Sequence, residues 1–326
     1  MADHQVRLES PSGGSTTVFL LPGASVLDGR CGSASWTLSV NSINPEFTST
    51  VKDSGINQAV AMAFEKAGMC ADEELAAAKH EFQRANAADP TYGDNLVTTA
   101  KPLHENGITH IIHVLAADCS NRPKRHSVAC FDPAGSVTGA CVFAAYFRCL
   151  LQAEQLARQQ AGSGGSLGLC PISVGVFKAD PALCTRMFAV AVRALVEVSP
   201  RCALASLCMT IFKRPVAEGM LEEGQQVSEE ANATVQAFMD ALEQAARLDT
   251  GKLREELELI LYSGLGSLWL KEVPVVHTHM LKTDGLRDDD PRLTLVPFSY
   301  QGLADITDVF AVLRHPGFLH FEYRDH

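Results

Sequence analysis

Strand-like and helix-like segments alternate along the first two-thirds of the chain, and this alternation restricts the fold more than any other feature. "TTVFLLPG" (16–23) and "SWTLSVNS" (35–42) are rich in β-branched and aromatic residues and end at turn formers. "INQAVAMAFEKAG" (56–68) puts Ile56, Val60 and Phe64 on one helical face and closes on Gly68. Residues 71–88 read as a second, more solvated helix, stopped by Asp89 and Pro90. "ITHIIHVLAA" (108–117) is a central-strand run, and 139–162 is a long apolar-periodic helix capped by glycine. "SLGLCPISVGVF" (166–177) is a strand entering a glycine turn, Pro181 opens another helix, and "LASLCMTIF" (204–212) is a buried strand. Strands alternating with helices require a sheet of substantial parallel character, covered on both faces.

The texture changes near Pro215, where "KRPVAEGMLEEGQQVSEE" (213–230) is polar, acidic and glycine-bearing. A domain of residues 1–215 is therefore expected, followed by a C-terminal α+β extension, 216–326, packed on the first domain. In the extension, Val235, Phe238, Met239 and Leu242 share a helical face, and 252–270 form a second helix or helix pair. Strand-like runs follow at "PVVHTHML" and "RLTLVPFSY", with a helix in "GLADITDVFAVLRH".

A net charge of -11 across 326 residues argues against a basic groove for a nucleic-acid backbone. No apolar run approaches membrane-spanning length, and the first residues lack the pattern of a secretory signal. The ten cysteines are scattered with no Cys-x-x-Cys pair, so zinc-ribbon spacing is absent and a reducing, cytoplasmic setting is expected. His277 and His279 share a strand face near Asp284 but have no third ligand of diagnostic spacing, so no metal is expected. No cofactor is implied. His113, inside an apolar strand, reads as a core histidine with its hydrogen bonds satisfied.

In α/β sheets ligands gather beyond the carboxyl ends of strands, where loops lead into helix N-termini. Two turns fit. At the first, Asn41 and Asn44 end a strand and Gly55, followed by Ile56, opens the next helix. At the second, "SVGVFKADP" (173–181), Ser173, Gly175, Val176 and Phe177 form a turn able to wrap a phosphate while the aromatic covers a sugar face.

Taken together and in this order, the segments resemble the macrodomain family, the ADP-ribose-recognition fold, from about Thr16 to Pro215. "VNSIN" (40–44) is similar to the family's Val-Asn-Ala-Ala-Asn strand end. "DSGINQAV" (53–60) sits where the family has a glycine-rich loop leading into a helix. "GDNLVTTA" (93–100) resembles a Gly-x-x-x-x-Thr segment preceding a strand, and "ITHIIHVLA" resembles the strand Tyr-Ile-Ile-His-x-Val. "CPISVGVFKADP" (170–181) resembles the diphosphate loop. The resemblance implies a three-layer α/β/α macrodomain-like mixed sheet. It also implies a site at Asn41, Asn44, Gly55, Ile56, Ser173, Gly175, Val176 and Phe177.

The departures bear on activity. Ala24 stands where the family's adenine-binding aspartate falls, and Asp53 and Ser54 replace loop glycines. Asn57 occupies the place of the aspartate used by hydrolase members; an amide orients water or a hydroxyl but is no general base. Asn44 and Asn57 are thus the weak catalytic candidates, and the resemblance implies a binder of ADP-ribose or of ADP-ribosylated protein ahead of an enzyme. A ligand-free scaffold, docking a protein partner through the C-terminal extension, is the first alternative. A mono-ADP-ribosyl hydrolase is the second.

Overall fold

The structure, a computed structural model, describes residues 4–11, 13–43, 48–53, 55–86, 94–116, 136–160, 164–174, 177–199, 201–211 and 221–269. The strands are β1 (His4–Glu9), β2 (Ser15–Pro22), β3 (Arg30–Cys31), β4 (Ala34–Ser35), β5 (Leu38–Ile43), β6 (Asn95–Thr99), β7 (His110–Leu115), β8 (Gly165–Leu169) and β9 (Leu204–Ile211). The helices are α1 (Gly55–Lys66), α2 (Ala71–Asn86), α3 (Ser136–Gln159), α4 (Pro181–Val198), α5 (Leu221–Ala246) and α6 (Thr250–Trp269), with a 3-10 helix at Lys101–Asn106.

Seven strands form one mixed sheet in the order β1-β2-β9-β8-β5-β7-β6, and β3 pairs with β4 separately. The five inner strands are parallel, while β1 and β6 add antiparallel edges. Parallel strands bury both faces, and the residues alternate accordingly. Val18, Leu20, Leu38, Val40, Ile112, Leu167 and Leu207 face a core shared with α3, α4, α5 and α6. Phe19, Leu21, Ile111 and Cys208 face the other way, toward Val60 and Phe64 of α1. This is the layered α/β arrangement expected from the alternation of segments.

Several boundaries differ from the sequence expectation for identifiable reasons. β1 carries only Val6 and Leu8 as apolar residues and did not stand out as a strand. Residues 95–99, read as a segment before a strand, are themselves the edge strand β6. The run at 166–177 ends as a strand at Leu169, because Pro171 offers no N–H and Ser173 turns left-handed (φ 66). Trp36 divides the run at 35–42. Its indole donates to the Val26 carbonyl at 2.8 Å and its ring lies against Gly168. A Cβ at 168 would meet that ring at 2.4 Å, so glycine is what lets the two approach.

α5 and α6 complete the core of the parallel sheet rather than standing apart from it. Val235, Phe238, Leu242, Leu253, Leu257 and Ile260 are all buried in the cluster formed by α3, α4 and the sheet. A polar clamp accompanies them. Arg193, 1% exposed, donates to the Leu248 carbonyl and to Glu197. Glu197 also accepts from Thr250 and from Ser10 beside β1. Burial pushes the Glu197 carboxyl up, but the hydrogen bonds from Thr250, Ser10 and Arg193 outweigh it, and its pKa ends below the ordinary value. The textural boundary near Pro215 and the segments anticipated beyond residue 270 lie outside the described residues.

Candidate functional site at the carboxyl ends of two parallel strands

β5 and β8 are neighbours, yet they pair only at Leu38 with Leu167 and at Ser39 with Gly168. Beyond that point β5 runs on to Ile43 and β8 only to Leu169. The chain leaving β5 enters α1 on one face of the sheet, and the chain leaving β8 enters α4 on the other. Adjacent parallel strands whose loops depart to opposite faces leave a crevice between those loops. The described parts of both sequence-predicted turns follow the carboxyl ends of these two strands. Of the predicted site residues, the structure places Asn41, Asn57, Gly55 and Ile56 on the β5 side and Ser173 and Phe177 on the β8 side. Asn44, Gly175 and Val176 lie outside the described residues.

On the β5 side a buried polar chain organises the approach to α1. Asn57 donates from Nδ2 to the Thr48 carbonyl (2.7 Å) and to Asp53 Oδ2 (2.9 Å), which leaves its Oδ1 as an acceptor. Asn41 must therefore face it with Nδ2, at 3.0 Å. The same Nδ2 lies 3.1 Å from His113 Nδ1, so that nitrogen accepts, and Nε2–H donates to Thr98 Oγ1 at 2.8 Å. The ring is thus assigned as the neutral Nε2–H tautomer. Burial pushes the His113 pKa down to about 3, in keeping with that neutral form. Asn41 Oδ1 remains buried with no partner among the described residues.

Asp53 does not stand loose beside the site. Its carboxylate accepts from the Thr50 N–H at 2.6 Å as well as from Asn57, closing the turn before α1. Ser49 adds two more ties, donating from its hydroxyl to the Asn57 carbonyl (2.9 Å) and from its N–H to Asp72 (2.6 Å). Gly55 begins α1 at φ 65 with open space where a Cβ would sit, and Ile56 packs partly against the core beneath α1. Open space at the start of a helix lets a ligand approach backbone amides.

On the β8 side the loop is strained and stapled. Ser173 (φ 66) and Lys178 (φ 59) are both left-handed without being glycine, and the Ala179 N–H donates to the Ser173 carbonyl at 3.0 Å. Such backbone persists only where its surroundings over-determine it, and it concentrates at functional sites. Ser173 is 1% exposed and its hydroxyl has no partner among the described residues. Phe177 is half-buried against the core. Asp180 caps α4 by accepting from the Ala182 N–H. Sequence reasoning missed Thr98, which completes the His113 chain, and Tyr146, whose hydroxyl accepts from the Ile172 N–H at 2.8 Å. Neither lies near its partner in sequence, and no local pattern marks it.

Among the described residues no group of three His, Cys, Asp or Glu could hold a metal, and no helix is long and apolar enough to cross a membrane. Ala24 is buried at the turn after β2, beside the end of β9, and offers no charge there.

The fold is that of an α/β protein with one mixed, mostly parallel seven-stranded sheet. Among solved structures it is similar to a macrodomain mutant of Oceanobacillus iheyensis with ADPR, at 14% identity over 74% of this chain and 99% of that one (TM-score 0.45). It is also similar to the Trypanosoma brucei macrodomain in complex with ADP-ribose, at 16% identity over 66% and 68% of the two chains (TM-score 0.37). A third is the macro domain of ganglioside induced differentiation associated protein 2, at 18% identity over 67% and 83% (TM-score 0.38). No family model and no curated protein matches the chain.

Proposed function

We propose that the chain recognises ADP-ribose, free or carried on a protein, or a closely related nucleotide diphosphate-sugar, in the crevice between the β5 and β8 loops. The observation that supports this reading is the parting of β5 and β8 beyond Ser39 and Gly168, since the two motif-bearing turns depart from the carboxyl ends of these two strands. An open helix start at Gly55 suits an anionic group. The strained loop from Ser173 to Ala179 suits the backbone wrapping that a diphosphate requires.

Binding without catalysis is the form this proposal takes. Asn57 has committed both amide hydrogens to Thr48 and Asp53 and one lone pair of Oδ1 to Asn41, and an amide supplies no general base. Asp53 Oδ2 already accepts two hydrogen bonds that hold its turn. Helices α5 and α6 belong, in this proposal, to the same folding unit as the sheet. Titration calorimetry of the full chain with ADP-ribose tests the reading. A dissociation constant tighter than about 1 mM, abolished by Gly175→Glu, is expected, and absence of heat at that concentration removes it.

A further inference from the structure

Tyr146 sits at the middle of α3, fully buried. Its hydroxyl is the acceptor for a backbone N–H at Ile172, the residue immediately before left-handed Ser173. Its ring is tilted against Phe188 of α4, with centroids 5.3 Å apart at 59°. Phe188 in turn meets Phe238 of α5 edge-on, at 5.8 Å and 69°. Side chains from three helices therefore run in contact from the C-terminal helical pair to the base of the β8 loop.

That contact falls where the loop needs it. Among the described residues, three bonds hold the segment that carries the two left-handed non-glycine residues: Ile172 N–H to the Tyr146 hydroxyl, Ala179 N–H to the Ser173 carbonyl, and the Asp180 cap of α4. Of these, the first comes from outside the loop and its helix. Ile172 is itself fully buried, so its N–H has no water to turn to if the phenol is removed. The ring that presents the hydroxyl lies against Phe188, and Phe188 lies against Phe238. Edge-to-face and tilted aromatic pairs have defined geometry, so displacing one ring displaces the next.

We infer that Tyr146 is a positioning residue for the β8 loop, and that α5 tunes the affinity of that loop through Phe238 and Phe188. The inference rests on the proposed function for its affinity readout, but not for its structural one. In the full chain, Tyr146→Phe keeps the ring contacts and deletes the acceptor. ADP-ribose binding weakens about tenfold, while Leu75→Val, which trims the same core from α2, leaves affinity within twofold. Phe238→Leu weakens binding in the same sense as Tyr146→Phe and by less. Independently of ligand, amide spectra of Tyr146→Phe show faster hydrogen exchange at Ile172 and a shifted Ser173 resonance, and Phe238→Leu moves the same two signals. Binding by the wild type that Tyr146→Phe leaves unchanged overturns the inference and spares the proposed function. If the wild type does not bind, the proposed function fails, and unaltered Ile172 and Ser173 amides overturn the inference on their own.

Discussion

Asn41 on β5 and His113 on β7 are joined at 3.1 Å across adjacent parallel strands, and the bond exists only while the ring nitrogen facing Asn41 is unprotonated. The ordinary imidazole pKa is 6.5, and burial lowers it to about 3 in the folded chain. The unfolded state then binds the proton first, so stability is fully present above 6.5 and declines as pH falls toward the folded value. At about 1.4 kcal/mol per pH unit, the step from pH 7 to pH 5 removes about 2 kcal/mol. Urea unfolding at the two pH values measures this loss, and His113→Asn flattens the dependence. An unchanged midpoint would show that the ring is not held neutral.

Asn57→Asp is nearly isosteric, yet it is expected to harm the fold. The new carboxylate would take the place of an Nδ2 that now donates to Asp53 Oδ2 at 2.9 Å and to the Thr48 carbonyl at 2.7 Å. Two carboxylates in that space share a proton with difficulty, and one pKa rises. The variant loses about 2 to 3 kcal/mol at pH 7 and recovers part of it at pH 5. Thermal melts of wild type and variant at both pH values give the comparison.

Ser173→Gly is expected to stabilise the chain by about 1 kcal/mol, because glycine adopts a left-handed backbone without a Cβ penalty. It also deletes a buried hydroxyl that has no partner among the described residues. Ser173→Val shifts stability the other way, since a β-branched residue is least tolerant of φ 66. Chemical unfolding of the pair reads both signs.

Cutting the chain after residue 215 is expected to abolish cooperative unfolding. Phe238, Leu242 and Leu257 each remove an apolar side chain from water, at about 1.5 to 3 kcal/mol apiece. Their loss, with that of the Leu248 and Thr250 partners of Arg193 and Glu197, approaches the whole stability of an ordinary domain. A sharp calorimetric transition from residues 1–215 alone would contradict the placement of α5 and α6 in the core.

The sequence patterns carried the sheet but not its supports. β-branched runs at 16–23, 108–117 and 204–212 announce their strands, since a strand buried on both faces is apolar throughout. β1 escapes because an edge strand needs only Val6 and Leu8 inward. The direction of Asp53 is equally hidden: charge alone suggests repulsion of a phosphate, while the fold gives its carboxylate two donors. The bond from Tyr146 to Ile172 joins α3 to a loop beyond β8, and no periodicity predicts such a pairing. The glycine at 175, outside the described residues, marks the second turn in the sequence, while the left-handed conformations of Ser173 and Lys178 have no sequence signal.

Amide chemical-shift mapping of the full chain during titration with ADP-ribose tests most directly whether one crevice serves both turns. Gly55 and Ile56 at the start of α1 are expected to shift together with Ser173 and Phe177 beyond β8, along a single saturation curve. Shifts confined to one of these turns, or absent from both while other surfaces respond, would contradict a ligand site between β5 and β8.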